Sequence, residues 1–330
     1  MKYPKVALVS ILSLLSLLAG CSPSDEPEAA GSDKVVIAAI PKSTGGDFWE
    51  TVESGAREAA KEFGVELKWE GTVTETEIAE QTKIIENMIN LGVDAIALAP
   101  LNNQAQRKPV QTAVDNGIPV VIFDSSIDGD AHSSFVATDN KLGGSLGANF
   151  MAENVSEKGK IVVFRYVQGT ASTTRRSDGF IETARGKGLE ILADPFSESG
   201  TLEGSKSVAA NTLERYIVDG KLAIDGIFAA NLTSTLGVAS ALDDLRASGI
   251  TVDVTFVGFD SSTKLVRELQ DDKIDALVVQ NPKRMGYLAV KAAYSASKGE
   301  ALESRIDTGV QVVTRERLET EPAIRALVGL

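Results

Sequence analysis

Polar side chains follow four short apolar runs of the sequence, at the point where each run ends. Asp124 follows Val-Val-Ile-Phe, Asn231 follows Ile-Phe-Ala-Ala, Asp260 follows Thr-Phe-Val-Gly-Phe, and Gln280 follows Ala-Leu-Val-Val. Apolar runs of this length, bounded by polar residues, are typical of buried parallel strands. Ligands of open parallel sheets lie outside the carboxyl ends of the strands, so we expect these four side chains to converge on one crevice.

Carboxylate and amide groups in one crevice suit a ligand that carries several hydroxyl groups. A hydroxyl both donates and accepts hydrogen bonds, and a planar carboxylate, amide or guanidinium group can hold two adjacent hydroxyls at once. Either aspartate taken alone is more typical of a turn or of a helix N-cap that follows a strand. The repetition of the same pattern at several strand ends favours a binding crevice.

The elements that must position these residues alternate regularly from Lys34 onwards. The predicted strands are 35–40, 65–69, 95–99, 120–123, 134–137, 160–166, 190–194, 227–230, 254–259, 276–279 and 309–313. The predicted helices are 48–63, 75–91, 104–116, 173–187, 202–218, 233–248, 262–271 and 282–298. Such alternation predicts βαβ units, and the pattern restarts at Lys160. We therefore predict an α/β protein with two similar, doubly wound parallel-sheet lobes.

Length and composition agree with two lobes and exclude one class of partner. A chain of 330 residues with 43% hydrophobic content is long enough for two cores of ordinary size. The formal net charge is −13. Binding to nucleic acid needs a basic face for the phosphates, so we expect no nucleic-acid partner.

The amino terminus has the pattern of an export signal. Lys2 and Lys5 precede an apolar run at 6–18 that is too short for an ordinary membrane span. The sequence Leu-Ala-Gly-Cys at 18–21 resembles a bacterial lipobox, so we predict a signal peptide at 1–20, lipidation of Cys21 and a flexible tether at 21–33. The alternatives are a soluble exported protein or a retained anchor. Cys21 is the only cysteine, which excludes a disulfide within the chain and a cysteine metal cluster.

Several motifs in a fixed order point to one family. They are Pro-Val-Val-Ile-Phe-Asp at 119–124, Ala-Thr-Asp-Asn at 137–140, Arg-Ser-Asp-Gly-Phe at 176–180, Ile-Phe-Ala-Ala-Asn at 227–231, Val-Gly-Phe-Asp at 257–260 and Gln-Asn-Pro at 280–282. With these motifs the chain resembles the periplasmic sugar-binding proteins of the ribose/galactose type, the solute receptors of ABC importers. The resemblance covers Lys34 to about Val313.

The resemblance implies a type I periplasmic binding protein fold, in which three strands form a hinge between the lobes. The crossings are expected near Asp139, Gln280 and Thr308. The amino-terminal lobe would then comprise residues 34–138 and 281–308, and the carboxy-terminal lobe residues 139–280 and 309–330. A member of this family is not an enzyme and needs no cofactor. Its expected partners are a small neutral carbohydrate and an ABC permease in the inner membrane, and we expect the chain to be a monomer.

The same resemblance assigns roles to eight residues. Asp124 and Asp260 would accept hydrogen bonds from the sugar, Arg176 would donate them, and the amides of Asn231 and Gln280 would do both. The remaining three, in the first strand-to-helix loop, are Lys42, Phe48 and Trp49. The two aromatic residues would face the apolar side of the sugar, and Lys42 would lie at the cleft mouth. Five of the eight have a plainer alternative, which is core packing for the two aromatic residues, exposure for the two cations and a hinge role for Gln280.

Departures from the ribose-type pattern leave the ligand open. Gly46, Lys42 and Ser125 stand where ribose receptors carry an asparagine, a small hydroxyl residue and a second arginine, which argues against D-ribose itself. Pro41-Lys42 is also similar to receptors for the furanose-like quorum signal, and this ligand is an alternative. A sugar sensor that presents its closed form to a membrane signalling receptor is another.

Other function classes lack the residues that they need. Gly-Gly-Ser-Leu-Gly at 143–147 matches the G-x-S-x-G nucleophile pattern, but it lies in a helical stretch and the sole histidine, His132, precedes it. One histidine cannot hold a metal ion alone, so we predict no metal site. A sugar-responsive repressor would carry a DNA-binding helix-turn-helix where this chain has an export signal.

Overall fold

The computed structural model describes Met1 and residues 34–330. The predicted signal peptide, Cys21 and the tether lie outside the described residues. Among the described residues, no helix combines the length and the apolar character needed to cross a membrane.

The described residues form fourteen strands and eleven α-helices. The strands are β1 Val36–Ile40, β2 Glu66–Trp69, β3 Ala95–Leu98, β4 Val120–Phe123, β5 Ser134–Ala137, β6 Lys160–Phe164, β7 Glu190–Ala193, β8 Ile217–Val218, β9 Lys221–Leu222, β10 Gly226–Ala229, β11 Thr255–Phe259, β12 Ala276–Gln280, β13 Arg305–Asp307 and β14 Val310–Val313. The helices are α1 Asp47–Phe63, α2 Ile78–Asn90, α3 Arg107–Asp115, α4 Asn140–Asn154, α5 Ala171–Gly186, α6 Leu202–Leu213, α7 Leu232–Ala247, α8 Thr263–Gln270, α9 Pro282–Ser297, α10 Arg315–Thr320 and α11 Pro322–Leu327.

Twelve of the strands form two six-stranded sheets of matching topology. The first sheet has the order β13-β5-β4-β3-β1-β2 and is parallel throughout. The second has the order β14-β12-β11-β10-β6-β7 and is parallel except at β14, which pairs antiparallel with β12. We call the first sheet with its helices lobe 1 and the second lobe 2. The prediction of two doubly wound parallel-sheet lobes is confirmed.

Helices cover both faces of each sheet, which explains why the central strands are apolar along their whole length. In lobe 1, α1 and α9 pack on one face and α2 and α3 on the other. In lobe 2, α4 and α5 pack on one face and α6, α7 and α8 on the other. Each lobe therefore has two apolar layers, one on either side of its sheet.

Glycines allow one helix pair in each lobe to approach closely. A Cβ on Gly55 of α1 would overlap the backbone of α9, and one on Gly286 of α9 would overlap the backbone of α1. In the same way, a Cβ on Gly144 of α4 would overlap the backbone of α5, and one on Gly179 of α5 would overlap the backbone of α4. The pattern at 143–147 is thus a helix-packing element, and Ser145 donates a hydrogen bond to the carbonyl of Gly179 (3.4 Å).

The chain passes between the two sheets three times, after β5, after β12 and after β13. At the first passage Asp139 caps α4 by accepting a hydrogen bond from the backbone N–H of Leu142 (3.0 Å). At the third, the hydroxyls of Thr138 and Thr308 are 3.1 Å apart, and Gly309 has a positive φ of 84°. The adjacent crossing segments are therefore hydrogen-bonded to each other.

Several predicted boundaries were wrong. The helix predicted at 202–218 ends at Leu213, because Asp219 and Gly220 take positive φ angles and turn β8 back on β9 as a hairpin. The helix predicted to begin at Glu75 begins at Ile78. The short strand β13 was not predicted, because its mostly exposed pattern carries no apolar run.

Candidate ligand-binding cleft

A cleft of about 710 Å³ lies between the carboxyl edges of the two sheets. Its volume is in the range of small-molecule sites. All eight predicted ligand-binding residues line it, namely Lys42, Phe48, Trp49, Asp124, Arg176, Asn231, Asp260 and Gln280. The fold therefore brings together side chains that are far apart in the sequence and that come from both lobes.

In lobe 1 the cleft floor holds a buried ion pair. Asp124 follows β4 in a left-handed conformation with φ of 58°. The Nζ atom of Lys42 lies 2.6 Å from its Oδ2 atom. The expectation that Lys42 lies at the cleft mouth was wrong, because the residue is only 2% exposed. Burial of an ammonium group requires a charged partner, and Asp124 supplies it.

In lobe 2 the corresponding carboxylate, Asp260, has three neighbouring polar partners. Asp260 follows β11 with φ of 69°, accepts a hydrogen bond from Gln280 Nε2 at 2.7 Å and another from the backbone N–H of Leu232 at 3.1 Å. The nearest guanidinium nitrogen of Arg176 is 3.7 Å away. Burial raises the pKa of Asp260, and the charge of Arg176 and the hydrogen bond from Gln280 oppose this rise.

Arg176 is held in place by three contacts besides Asp260. Its guanidinium carbon lies 4.1 Å from the ring centre of Phe259, its Nε donates to Asn140 Oδ1 at 2.7 Å, and its Nη1 donates to the carbonyl of Ala230 at 3.2 Å. These contacts fix the plane of the guanidinium group before any ligand arrives. The neighbouring Arg175 is exposed, so α5 turns only Arg176 towards the cleft.

In each of the two amide side chains, one end already forms a hydrogen bond within the protein. Asn231 is the N-cap of α7, and its Oδ1 accepts hydrogen bonds from the N–H (3.0 Å) and the hydroxyl (2.7 Å) of Ser234. Gln280 donates to Asp260, while its Oε1 is buried and accepts no hydrogen bond from the described residues. Asn231 therefore caps α7 with its oxygen, and in both residues the other end of the amide remains to contact a ligand.

The aromatic pair lies where α1 begins. Phe48 and Trp49 meet edge to face with ring centres 5.1 Å apart, and Trp49 also packs against Phe123 at 6.3 Å. Trp49 is buried and Phe48 is half-buried. Both line the cleft, and both also belong to the apolar layer between α1 and the sheet, so ligand contact and core packing apply together.

Sequence reasoning missed two groups of the cleft. Glu75 is half-buried, and its Oε1 accepts a hydrogen bond from the indole N–H of Trp49 at 2.8 Å. Burial raises the pKa of Glu75, and the charge of Lys42 opposes the rise. Tyr166 is buried, donates its hydroxyl proton to the carbonyl of Gly200 at 3.0 Å and has its pKa raised by burial. Both residues lie near the carboxyl end of a strand, and this position was the available signal.

Direct contacts join the two lobes beside the cleft. Lys42 Nζ donates to the hydroxyl of Ser172 at 3.1 Å, and the N–H of Ser172 donates to the hydroxyl of Ser125 at 3.1 Å. Further along, Thr170 donates its hydroxyl proton to the carbonyl of Leu101 at 3.3 Å. The lobes are therefore in contact, as expected for a closed arrangement.

In the part of the chain that the structure describes, we find no arrangement of side chains that fits the catalytic or metal chemistry considered above. Within residues 34–330, no three His, Cys, Asp or Glu side chains are placed to hold a metal ion. Ser145 lies in the middle of α4 and donates to a backbone carbonyl, whereas a nucleophile elbow is a sharp turn between a strand and a helix.

Comparison with known proteins identifies the family. A family model described as a periplasmic binding protein domain matches residues 37–301. The ribose import binding protein of Bacillus subtilis is 28% identical over 318 residues, which cover 94% of this chain and all of that protein. A carbohydrate transporter solute-binding protein from Agrobacterium radiobacter, solved in complex with D-arabinose, is 33% identical with a TM-score of 0.83, over 90% of this chain and 99% of that one.

A second solved structure, an ABC transporter solute-binding protein from Agrobacterium vitis bound to α-D-tagatopyranose, is 29% identical with a TM-score of 0.82, over 89% of this chain and 99% of that one. The resemblance to ribose-type sugar-binding proteins is thereby confirmed. The relatives are binding proteins of transport systems, which are not enzymes. This agrees with the sequence analysis, which predicted no catalytic residue. The chain belongs to the periplasmic binding protein family.

Proposed function

We propose that this protein is an exported solute-binding protein that captures a monosaccharide or a related polyol between its lobes and delivers it to an ABC permease. The observation that carries the proposal is the convergence of fixed hydrogen-bonding groups from both lobes on one cleft. Asp124 belongs to lobe 1, whereas Arg176, Asn231 and Asp260 belong to lobe 2. The ligands bound in the two solved relatives, D-arabinose and α-D-tagatopyranose, support a pentose or hexose.

The cleft offers a hydroxyl-rich ligand both donors and acceptors. Gln280 Oε1 is an acceptor without a partner among the described residues, and the Nδ2 of Asn231 is a donor. Arg176 uses two of its nitrogens on Asn140 and Ala230, and its remaining N–H groups are donors for adjacent hydroxyls. A ring face without hydroxyls can pack on Phe48 and Trp49.

Ligand binding would stabilise the closed arrangement, because only that arrangement places the groups of both lobes on one ligand. A ligand shifts an equilibrium by its difference in affinity for the two states, and a ligand held by one lobe alone would not close the cleft. In this proposal, the segments after β5, β12 and β13 form the hinge between the lobes. The closed lobes would present the permease with a composite surface.

Export and anchoring rest on the amino-terminal sequence. We propose that Cys21 is lipidated after removal of residues 1–20, and that residues 21–33 tether the domain to a bacterial membrane, facing the periplasm or the cell exterior. Metabolic labelling with a fatty acid, compared between the wild-type chain and Cys21→Ala, tests this part separately. Label on the wild-type chain that is lost in the variant is the expected result.

A thermal-shift screen of pentoses, hexoses and polyols tests the binding function. A ligand at a hundred times its dissociation constant adds about 2.7 kcal/mol of stability, which raises the melting midpoint by a few degrees. The shift is expected to disappear in Arg176→Ala and to persist in Arg175→Ala, the exposed neighbour that serves as the matched control. A screen in which no carbohydrate or polyol raises the midpoint would reject the proposed function.

A further inference from the structure

The charges of the side chains inside the cleft do not sum to zero. Four of them form two opposite-charge pairs, Lys42 with Asp124 and Arg176 with Asp260. Glu75 is the fifth, and within residues 34–330 no lysine, arginine or histidine nitrogen forms an ion pair with it. The interior of the cleft therefore has two cations and three carboxylates.

The other charged residues that line the cleft do not correct this imbalance. Asp47 and Lys264 are exposed, and Lys264 Nζ lies 3.5 Å from Glu268 Oε1 on its own helix. Lys42 and Arg176 already have carboxylate partners, so an acidic ligand would compete with Asp124 and Asp260 for them. The cleft is thus better suited to a ligand that brings a positive charge than to one that brings a negative charge.

Glu75 is also held in a fixed position. The indole N–H of Trp49 donates to its Oε1 at 2.8 Å, and Trp49 is itself buried against Phe123. The hydrogen bond to this buried ring holds one carboxylate oxygen of Glu75 at the cleft wall. Burial also disfavours the charge of Glu75, and a bound cation would offset this cost.

We propose that Glu75 is a specificity-determining residue that selects a polyhydroxy ligand carrying a protonated amine, such as an amino sugar or an amino polyol. The ammonium group donates a charge-assisted hydrogen bond to the Glu75 carboxylate, while the hydroxyls contact the groups of both lobes. This inference rests on the proposed function and replaces the neutral carbohydrate expected from the sequence with a cationic one.

Calorimetric titration of matched ligand pairs tests the inference. The purified full-length chain in detergent is titrated with D-glucose and D-glucosamine, and with D-galactose and D-galactosamine, at neutral pH. N-acetyl-D-glucosamine controls for the size of the substituent without its charge. For the pair with the correct ring stereochemistry, the amine should bind at least about tenfold more tightly than the parent sugar.

Two variants locate the effect. Glu75→Gln should abolish the preference for the amine, so that the amine and the parent sugar bind with dissociation constants within about threefold of each other. Glu70→Gln removes the same charge from an exposed position outside the cleft and should behave as the wild type. Retained binding of the parent sugar by Glu75→Gln shows that this variant is folded.

Two results would overturn the inference while the proposed function stands. They are parent sugars that bind as tightly as their amines, and a Glu75→Gln variant that weakens both equally. Binding of none of these sugars, neutral or amino, by the wild-type chain would overturn the inference, whereas the proposed function is rejected only if no carbohydrate or polyol of the thermal-shift screen binds either.

Discussion

The two lobes share one scaffold but differ in how each supplies a cation to the cleft. β1 and β6 begin at Val36 and Lys160, and α2 and α6 begin at Ile78 and Leu202, so corresponding residues are 124 positions apart over this part of the chain. The close helix contacts through Gly55 of α1 and Gly179 of α5 obey the same spacing. From β1 to α2, and from β6 to α6, the backbone architecture is therefore repeated almost residue for residue.

The cleft residues do not follow this repeat. The position that corresponds to Lys42 in lobe 2 is Tyr166, and the position that corresponds to Arg176 in lobe 1 is Val52. Lobe 1 thus takes its cation from the loop after its first strand, whereas lobe 2 takes it from the following helix. A repeated scaffold fixes where the carboxylates stand, and single substitutions decide which groups they bind.

This difference separates structural from ligand-binding roles. The Lys42–Asp124 pair is short at 2.6 Å, and Lys42 also bonds to Ser172 across the cleft. The Arg176–Asp260 pair is longer at 3.7 Å, and Arg176 has donors to spare. We infer that the lobe 1 pair mainly holds the fold and the closed arrangement, and that the lobe 2 pair mainly binds ligand.

Breaking the lobe 1 pair is expected to have the largest effect on stability. Lys42→Met leaves the Asp124 carboxylate buried without a cation, which should lower the free energy of unfolding by about 3–5 kcal/mol. Chemical denaturation measures this loss. The double variant Lys42→Met with Asp124→Leu should recover most of it, because neither charge remains buried. A single variant within about 1 kcal/mol of the wild type would contradict a structural role for the pair.

Asp260→Asn is expected to affect ligand affinity more than stability. The amide keeps the shape of the carboxylate but gives a weaker acceptor, so affinity should fall by about 1.5–3 kcal/mol, or roughly tenfold to a hundredfold. Calorimetric titration with the best ligand of the screen gives this value. Unchanged affinity would assign the lobe 2 pair a structural role as well and remove the distinction between the lobes.

The same variant has a predicted pH dependence. Burial raises the pKa of Asp260 above the ordinary value of 3.8, so the unfolded chain loses this proton at a lower pH than the folded chain. As pH rises from 3.8 to the raised pKa, the ionisation of Asp260 therefore subtracts stability from the folded state. The stability of Asp260→Asn relative to the wild type should increase over this window. A relative stability that falls with pH would contradict the burial of this carboxyl.

Removing the contact between the lobes is expected to give the smallest effect. Ser172→Ala deletes the hydroxyl that accepts from Lys42, a change of about 0.5–1.5 kcal/mol. Because the contact exists only when the lobes meet, the loss should fall on the closed arrangement, and the radius of gyration in solution without ligand should increase. Thr174→Ala, a half-buried residue outside the cleft lining, is the control. Equal radii for the wild type and both variants would show that this bond does not influence closure.

The sequence was sufficient to predict the strand ends and therefore most of the cleft. Asp124 and Asp260 each follow an unbroken apolar run, and a parallel sheet leaves such residues only one edge to occupy. The position of Lys42 was not predictable in this way, because nothing in a loop sequence shows that its side chain turns inward to meet a carboxylate 82 residues later.

Glu75 and the β8–β9 hairpin were missed for different reasons. Glu75 precedes a strongly periodic segment, and the periodicity favoured a helix that begins three residues too early. Ile217 and Val218 continue the apolar spacing of α6, but Asp219-Gly220 is a turn signal that should have ended the helix. Local patterns thus predicted the elements well, whereas contacts between loops depend on tertiary structure.

A crystal structure of the protein with the best ligand of the thermal-shift screen tests the central claim most directly. We predict that the ligand lies between the carboxyl edges of the two sheets and contacts Arg176 and Asp260 of lobe 2 together with Trp49 of lobe 1. A ligand that contacts one lobe alone, or that binds outside the cleft, would contradict the account.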